Sequence, residues 1–339
     1  MKFQKYGSIE NSYREKTLYY IHSEGFADPE ILWVATEKIH GANFSLWYDG
    51  KDFNCGKRSG FIGADNFYNV DRIRDTLRCY MEDLHYEIDR LCLGTEVVVY
   101  GELFGGLYPH PAVLKALDVS KQPIKSIQKG VFYHPDVNFI AFDLVIDEKI
   151  IDYTTFELLM KKTSIPYTKP LMIGTFNDVM TLNNVFESTI HANFGLPKIE
   201  NNEAEGLVLK PVHPLFFGND SRVILKNKNP KFGEEDNRNS SPKEHRDLNP
   251  VISEAFDIAS SYITENRLRN VLSKYGLVES YKEFGKVLGA YSVDVQEELA
   301  KNHKIDLDKA DTKILNKLIN TKSGALIRTH FQNIIDGYF

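Results

Sequence analysis

The sequence predicts an α+β fold in two domains: a larger domain of antiparallel sheets and helices, then a small all-helical domain. Before residue 229, short apolar runs rich in β-branched and aromatic residues alternate with turn residues, as in strands. From 229 to 250 the chain is polar and rich in Pro, Asn and Ser, as in linkers. Beyond Pro250, apolar residues recur at helical spacing. We therefore place the domains at residues 1–235 and 247–339, with a linker at 236–246.

Six runs of the first domain predict strands, and Asp49-Gly50 predicts a hairpin turn after the second of them. A helix is predicted at 154–165, where Pro166 ends it. The strand candidates are residues 31–39, 44–48, 96–103, 137–146, 205–210 and 222–228.

In the second domain, Pro250 suits the first turn of a helix and Gly276 suits the end of the next one. Ser292 is predicted to cap a third helix, which would begin at Val293. The runs 313–319 and 325–339 are also predicted to be helical.

The formal net charge of −6 over 339 residues argues against a protein that is basic over its whole surface. One local basic groove is nevertheless sufficient for binding nucleic acid. The three cysteines form no CxxC pair, which argues against a zinc site and favours a reducing compartment. No signal-peptide core is present, and no apolar run approaches the ~20 residues of a membrane span. We expect a cytoplasmic monomer without a membrane segment.

Two segments carry candidate groups for nucleotide chemistry. Lys38 ends a strand candidate, and Gly41 would let the backbone approach a ligand. A lysine is a nucleophile only when neutral, and nearby cations would favour that form. Arg58 follows the hairpin and has the geometry to grip a phosphate. The alternatives are an exposed lysine before a turn and a solvated hairpin end.

Two acidic residues occupy strand candidates too apolar for a surface. Glu102 ends one of them and shares a face with Tyr100, so it requires a ribose hydroxyl, a metal or a structural arginine as partner. Asp143 would be costly there without a partner. Phe142 is placed to stack on a purine, with a place in the core as the alternative.

The last two strand candidates carry further charges. Glu205 and Lys210 bracket the apolar residues of EGLVLK. In the next strand, the two-residue period places Arg222, Lys226 and Lys228 on one face. This pattern predicts a focused positive surface, and the alternative is a solvated edge strand.

The order of these segments resembles the motif series of covalent nucleotidyltransferases, which include ATP-dependent ligases and capping enzymes. More specifically, EKIHGANFSL, KRSG, VYGELFGG, FDL, EGLVLKP and ILKNKNPKF resemble the second family of RNA ligases, which includes a phage double-strand RNA ligase and the kinetoplastid RNA-editing ligases. SKYG and EFGKVLG in the helical part resemble it too. The similarity covers nearly the whole chain. It implies an ATP-grasp-like nucleotidyltransferase ligase domain followed by a helical domain that engages a nicked duplex.

The resemblance implies a role for each matching residue. Lys38 would take AMP, Phe142 would stack on the adenine, and Glu205 would hold a metal, directly or through water. Thr36 departs from the pattern, because some members have an arginine there. The implied catalytic residues are Lys38, Arg58, Glu205, Lys226 and Lys228. The implied nucleotide-binding residues are Glu37, Lys38, Ile39, His40, Asn43, Arg58, Glu102, Phe142, Glu205, Lys226 and Lys228, and Tyr6 matches an N-terminal tyrosine of the family.

The resemblance also implies ATP and Mg²⁺ as cofactors, with Mn²⁺ as a substitute, and a nicked double-stranded RNA or RNA-containing duplex as partner. A DNA nick ligase and a capping guanylyltransferase share the lysyl-nucleotide step and are the enzyme alternatives. Both usually carry an oligonucleotide-binding barrel after the core, whereas this chain predicts helices there. A catalytically inactive RNA-binding protein is the remaining alternative, and retention of Lys38, Glu205, Lys226 and Lys228 argues against it.

Overall fold

The computed structural model describes residues 1–63, 67–117, 122, 124–233 and 250–339. The chain divides into two compact units, Met1–Lys231 and Phe232–Phe339. The predicted linker at 236–246 lies outside the described residues. Among the described residues, no helix combines the length and the apolar character that crossing a membrane requires.

The described residues of the first unit form two sheets. Their strands are β1 (Glu10–Asn11), β2 (Trp33–Glu37), β3 (Ala42–Tyr48), β4 (Phe53–Lys57), β5 (Gly60–Phe61), β6 (Val97–Phe104), β7 (Asn138–Ile146), β8 (Lys149–Ile150), β9 (Pro170–Gly174), β10 (Gly206–Pro211) and β11 (Leu225–Lys228). One sheet has the strand order β1-β11-β10-β2-β9 and is antiparallel except where β1 pairs with β11. The other has the order β5-β4-β3-β6-β7-β8 and is antiparallel throughout. The predicted α+β class with antiparallel sheets is thus confirmed.

The predicted strand 222–228 is wrong in extent, because β11 begins only at Leu225. Arg222 instead forms an isolated bridge with Phe216. The hairpin prediction is confirmed: β3 and β4 pair on either side of Asp49-Gly50, and Asp49 Oδ1 accepts hydrogen bonds from the backbone N–H groups of Lys51 and Asp52.

Where the structure describes the first unit, four α-helices accompany the sheets: α1 (Glu15–Ser23), α2 (Arg74–Arg90), α3 (Tyr153–Lys162) and α4 (Phe176–Met180). Only α3 was predicted, and Asp152 caps its N-terminus through Thr155 N. No helix was predicted at α2, although Leu77, Met81, Leu84 and Ile88 lie at helical spacing and are buried.

The two faces of the first sheet differ in character. Trp33 and Ala35 of β2 pack with Leu207 and Leu209 of β10 in an apolar core. The strand registers put the alternate residues on the opposite face. That opposite face, which we call the charged face, carries Thr36, Val208, Lys210, Lys226 and Lys228.

The second unit is helical, as predicted. Its helices are α5 (Pro250–Ser261), α6 (Glu265–Tyr275), α7 (Phe284–Asn302) and α8 (Lys309–Ile335). Gly276 ends α6 as predicted, with a φ of 108°. The predicted Ser292 cap is wrong, because α7 begins at Phe284 and Ser292 is buried in its interior. The runs 313–319 and 325–339 belong to one continuous α8, except for the last residues of the chain.

Candidate active site

Lys38 directly follows β2, where the chain turns away from the first sheet towards β3 of the second. Its backbone N–H donates to Gly206 O at 2.8 Å, which continues the pairing of β2 with β10. Glu205 immediately precedes Gly206 and therefore lies beside Lys38. The Lys38 Nζ–Glu205 Oε2 distance is 2.6 Å. Two residues separated by 167 positions thus meet through strand register.

Two glycines permit this close approach. A Cβ on Gly41 would lie 2.3 Å from Leu103 O, and one on Gly206 would lie 2.1 Å from Asn227 O. Gly206 also has a φ of 141°, which side chains of L residues rarely adopt. The turn after Lys38 therefore rests against β6, and β10 begins against β11.

Glu205 is the centre of the charges at the site. Its side chain is 1% exposed and contacts Lys38 through Oε2 and Lys228 Nζ through Oε1, the latter at 3.1 Å. His40 Nδ1 lies 3.6 Å from Oε2. Burial by itself raises the pKa of Glu205, but the charges of Lys38, Lys228 and His40 outweigh it and lower that pKa to about 2. The carboxylate is consequently ionised at neutral pH.

The second sheet supplies the facing wall of the site. Glu102 of β6 lies directly across from Asn43 of β3. Loss of water raises the pKa of Glu102 to about 8, with Lys38 and Arg58 acting in the opposite direction. Arg58 lies in the turn between β4 and β5, and no described side chain pairs with it. Its guanidinium is therefore available to an anion.

Lys226 lies one step along the charged face from Lys228. It is opposite Val208 of β10 and Asn11 of β1, and it is half-buried. The structure thus places four of the five predicted catalytic residues, Lys38, Glu205, Lys228 and Arg58, within electrostatic reach of Glu102 or Glu205. Lys226, the fifth, shares the charged face of β11 with Lys228.

Glu37 and Ile39 flank Lys38 in the chain, but the Glu37 side chain points to the other face of the sheet. Its Oε2 accepts from Thr189 N at 2.7 Å and from Thr189 Oγ1 at 2.9 Å. Its Oε1 is buried and has no hydrogen-bond partner among the described residues. Burial raises the pKa of Glu37 to about 7. Ile39 is 5% exposed, and its place beside the adenine stays a prediction.

Phe142 packs against Tyr6, with ring centroids 5.1 Å apart, and lies where the register of β7 with β6 shifts. Its stacking on adenine stays a prediction. The neighbouring Asp143 is 3% exposed and binds three partners. They are Tyr6 OH at 2.5 Å, Lys210 Nζ at 2.7 Å and Arg222 Nη1 at 2.5 Å. The expected partners of this buried aspartate are therefore present. The prediction that Arg222 shares a positive strand face with Lys226 and Lys228 is wrong, because Arg222 pairs with Asp143.

Some residues that shape the site lacked a sequence signal. Tyr133 OH accepts a hydrogen bond from His40 N at 3.1 Å. Asn184 Nδ2 donates to Lys228 O at 2.6 Å and thereby holds the end of β11. Both residues lie outside the strands and helices, so no periodicity marks them.

The site can be compared with known proteins. Residues 31–228 match the family model described as RNA ligase, and residues 246–324 match the model described as T4 RNA ligase 2 C-terminal. The chain belongs to the RNA ligase family. The ligase activity predicted from the motifs is thereby confirmed at the level of the family, and the second match agrees with a helical C-terminal domain.

The ligase is also similar to two mitochondrial proteins of Trypanosoma brucei brucei. It is 30% identical to RNA-editing ligase 2, over 83% of this chain and 78% of that protein. It is 27% identical to RNA-editing ligase 1, over 94% of this chain and 79% of that protein. A structure of a Naegleria gruberi RNA ligase variant with ATP and Mn aligns at 10% identity and a TM-score of 0.42. That weak alignment covers 68% of this chain and 58% of the Naegleria chain.

Proposed function

We propose that the protein is an ATP-dependent RNA ligase that joins 3′-hydroxyl and 5′-phosphate ends at nicks in double-stranded RNA, through lysyl-AMP and AMP–RNA intermediates. The observation that carries the proposal is the contact of Lys38 with Glu205 and of Glu205 with Lys228 in a largely buried cluster. An amine, a carboxylate and a second cation at one point are the groups that nucleotidyl transfer to a lysine requires.

In the first step, Lys38 Nζ, as the neutral amine, forms a bond to the α-phosphorus of ATP while the bond from that phosphorus to the pyrophosphate oxygen breaks. The proton that the nitrogen loses leaves with the pyrophosphate. Arg58, Lys226 and Lys228 offset the negative charge that develops on the phosphates. They do so in a site with little water, where such charges act most strongly. The backbone turn at residues 38–41 fixes the direction from which the amine approaches.

The carboxylates at the site fit a divalent cation. Mg²⁺ in nucleotide enzymes is usually held by one or two carboxylates together with substrate phosphates and water. Glu205 is ionised, and Glu102 lies close enough for the two carboxyl charges to affect each other. Glu205 would hold the ion directly or through water, and Mn²⁺ would substitute for Mg²⁺. The bound ion would neutralise negative charge on the triphosphate.

The two later steps use the same cationic surface. An oxygen of the RNA 5′-phosphate attacks the phosphorus of lysyl-AMP, and the bond to Lys38 Nζ breaks. The 3′-hydroxyl of the neighbouring strand then attacks the activated 5′-phosphate, forms the phosphodiester and expels AMP. Lys226 and Lys228 remain in contact with phosphate in each transfer, so we propose that they serve all three steps.

The substrate class is tested by comparing three substrates under the same conditions: a nicked RNA duplex, a nicked DNA duplex and single-stranded RNA. The proposal predicts that the nicked RNA duplex is sealed fastest. Sealing of the DNA nick at an equal or higher rate would favour a DNA ligase. Labelling of the protein by GTP instead of ATP would favour a capping guanylyltransferase, and labelling by neither would favour an inactive RNA-binding protein.

A further inference from the structure

We infer that Tyr133 is a positioning residue for nucleotidyl transfer, acting through the backbone turn that carries Lys38. This inference rests on the proposed function, because it deepens the role of the same site. Tyr133 lies about 95 residues after the nucleophile, in an irregular segment before β7. Its hydroxyl accepts a hydrogen bond from the turn, so this contact can be removed by one atom.

Three of the described contacts involve the backbone of the turn at residues 38–41. Lys38 N–H donates to Gly206 O at one end, and Gly41 rests against Leu103 O at the other. Between them, His40 N–H donates to Tyr133 OH at 3.1 Å. The first two contacts belong to strand pairing and close packing. The third is the only one of the three in which the turn is held by a side chain.

Tyr133 is itself fixed. It is fully buried, and its ring meets that of Phe104 edge-on, with centroids 5.2 Å apart. Asn202 binds both backbone groups of Phe132, the residue before Tyr133. Its Oδ1 accepts from Phe132 N at 2.8 Å, and its Nδ2 donates to Phe132 O at 2.7 Å. Asn202 lies three residues before Glu205. The segment that carries Tyr133 is therefore tied to the segment that carries the central carboxylate.

The charge around the hydroxyl keeps it protonated. Burial raises the pKa of Tyr133 well above its ordinary value, and the carboxylates of Glu37, Glu205 and Glu102 raise it further. A neutral hydroxyl can accept from His40 N–H and still direct its own hydrogen towards this acidic surrounding. The turn is consequently held by a group whose charge does not change while phosphates enter and leave.

Removal of the hydroxyl would leave the His40 N–H unpaired in a buried position, which is costly, so the turn would shift to find water or another acceptor. A displacement of about 1 Å at a nucleophile lowers a rate by on the order of a hundredfold. We expect the Tyr133→Phe protein to form lysyl-AMP about tenfold to a hundredfold more slowly at saturating ATP. The ATP concentration for half-maximal rate should stay nearly unchanged, because the phosphate-binding groups are intact.

The test measures single-turnover labelling of the full-length chain by ATP carrying label at the α-phosphate, over a range of ATP concentrations. Tyr291→Phe is the matched control, since Tyr291 is also fully buried and its hydroxyl donates to Thr264 O at 3.0 Å in the second unit. Both variants should have a lowered melting temperature, whereas only Tyr133→Phe should label slowly. Labelling of a folded Tyr133→Phe protein at the wild-type maximal rate would overturn the inference.

Two further outcomes are decisive. If the wild-type protein is not labelled, the proposed function fails, and this failure is separate from the behaviour of Tyr133. If circular dichroism shows that Tyr133→Phe does not fold, Asn202→Asp decides, because it removes the donor to Phe132 O while keeping the side-chain shape. Slow labelling of that variant would support the inference, and wild-type labelling would overturn it.

Discussion

The side chains that stabilise the buried Glu205 carboxylate are the same ones that the proposed reaction uses. A carboxylate that is 1% exposed is stable as an anion only because Lys38 and Lys228 contact its two oxygens. The same two amines are the groups proposed to act on ATP. The free protein therefore stores its reactive lysine as one partner of a buried ion pair.

Glu102 presents the opposite case, because no cation within the described part of the chain forms an ion pair with its carboxyl. Its pKa is about 8 in the folded protein against an ordinary value of 4.5, so the folded state binds the proton more tightly than the unfolded state does. Folding stability from this group is full below about pH 4.5 and declines as the pH rises towards 8. Glu102→Gln removes this decline. We predict that the variant melts at a higher temperature than the wild type and that the difference grows between pH 5 and 8.

The same Glu102→Gln variant should form lysyl-AMP poorly, since an amide cannot ionise when a cation or a ribose hydroxyl binds beside it, as the carboxyl can. Glu96→Gln, an exposed position just before β6, is the control and should show neither effect. A melting-temperature difference that stays constant from pH 5 to 8 would contradict the raised pKa of Glu102.

The contacts of single residues differ in how well the sequence predicts them. A charged residue in an apolar strand must be paired, so partners for Asp143 were expected, and Lys210 and Arg222 are found there. The contact of Lys38 with Glu205 depends on the register of β2 with β10, which periodicity within one strand does not specify. Tyr133 acts from an irregular segment through one hydroxyl, and local sequence carries no signal for such a contact.

At the scale of elements, the Asp143 cluster connects the two sheets. Asp143 lies in β7 of the second sheet, and Lys210 lies in β10 of the first. Lys210 Nζ also donates to Phe142 O at 2.8 Å, so the cluster fixes the backbone of the residue predicted to stack on adenine. The geometry of the nucleotide site thus depends on a buried ion pair between strands.

We predict that Asp143→Asn lowers the free energy of unfolding by about 3–5 kcal/mol, because two buried cations lose their counter-charge. Asp136→Asn is the control. Asp136 pairs with Arg72 in a partly exposed ion pair, and its loss should cost less than about 1 kcal/mol. Denaturant titrations of the three proteins measure these differences, and equal costs for the two variants would contradict a buried role for Asp143.

The two lysines on the charged face of β11 are expected to be required for the reaction with ATP. Lys228→Ala and Lys226→Ala should each lower lysyl-AMP formation by about a hundredfold or more, because charge on phosphates acts strongly in a dry site. Lys231→Ala is the control, since Lys231 follows the strand, is 44% exposed and lies 3.8 Å from Glu203. Rates near the wild type in both strand variants would show that this face is merely solvated.

Secondary-structure elements were predictable where one sequence pattern dominated. The apolar strands and the Asp49-Gly50 turn were predicted. Helix α2 was not, because its apolar residues lie singly, three or four positions apart, among charged and polar ones. The Ser292 cap failed because serine also occurs inside helices, and here tertiary packing buries it in α7. The continuous α8 shows that the polar residues and Gly324 between two predicted apolar runs do not end the helix, because Gly324 is buried inside it and does not act as a cap.

At the scale of the whole molecule, the nucleotide motifs and the helical part lie in different units. The basic residues of the second unit differ in exposure. Arg267 is 3% exposed at its side chain and pairs with Asp294, so it stabilises the helices and is not part of a surface. Lys282 and Lys286 are exposed, and their side chains are accessible to a phosphate.

We predict that a truncated chain ending at residue 245 still reacts with ATP but seals a nicked RNA duplex poorly. All the proposed nucleotide contacts precede residue 229, and the second unit has a hydrophobic core of its own. Circular dichroism first establishes that the truncated chain is folded. Sealing by the folded, truncated chain at the full-length rate would exclude a role for the helical unit in engaging the duplex.

The most direct measurement is covalent labelling of the protein with ATP that carries label at the α-phosphate, followed by denaturing electrophoresis. The account predicts that the wild type retains the label, that Lys38→Ala retains none, and that Lys161→Ala, which changes an exposed lysine of α3, is labelled like the wild type. Label on Lys38→Ala at the wild-type level would contradict the assignment of Lys38 as the nucleophile.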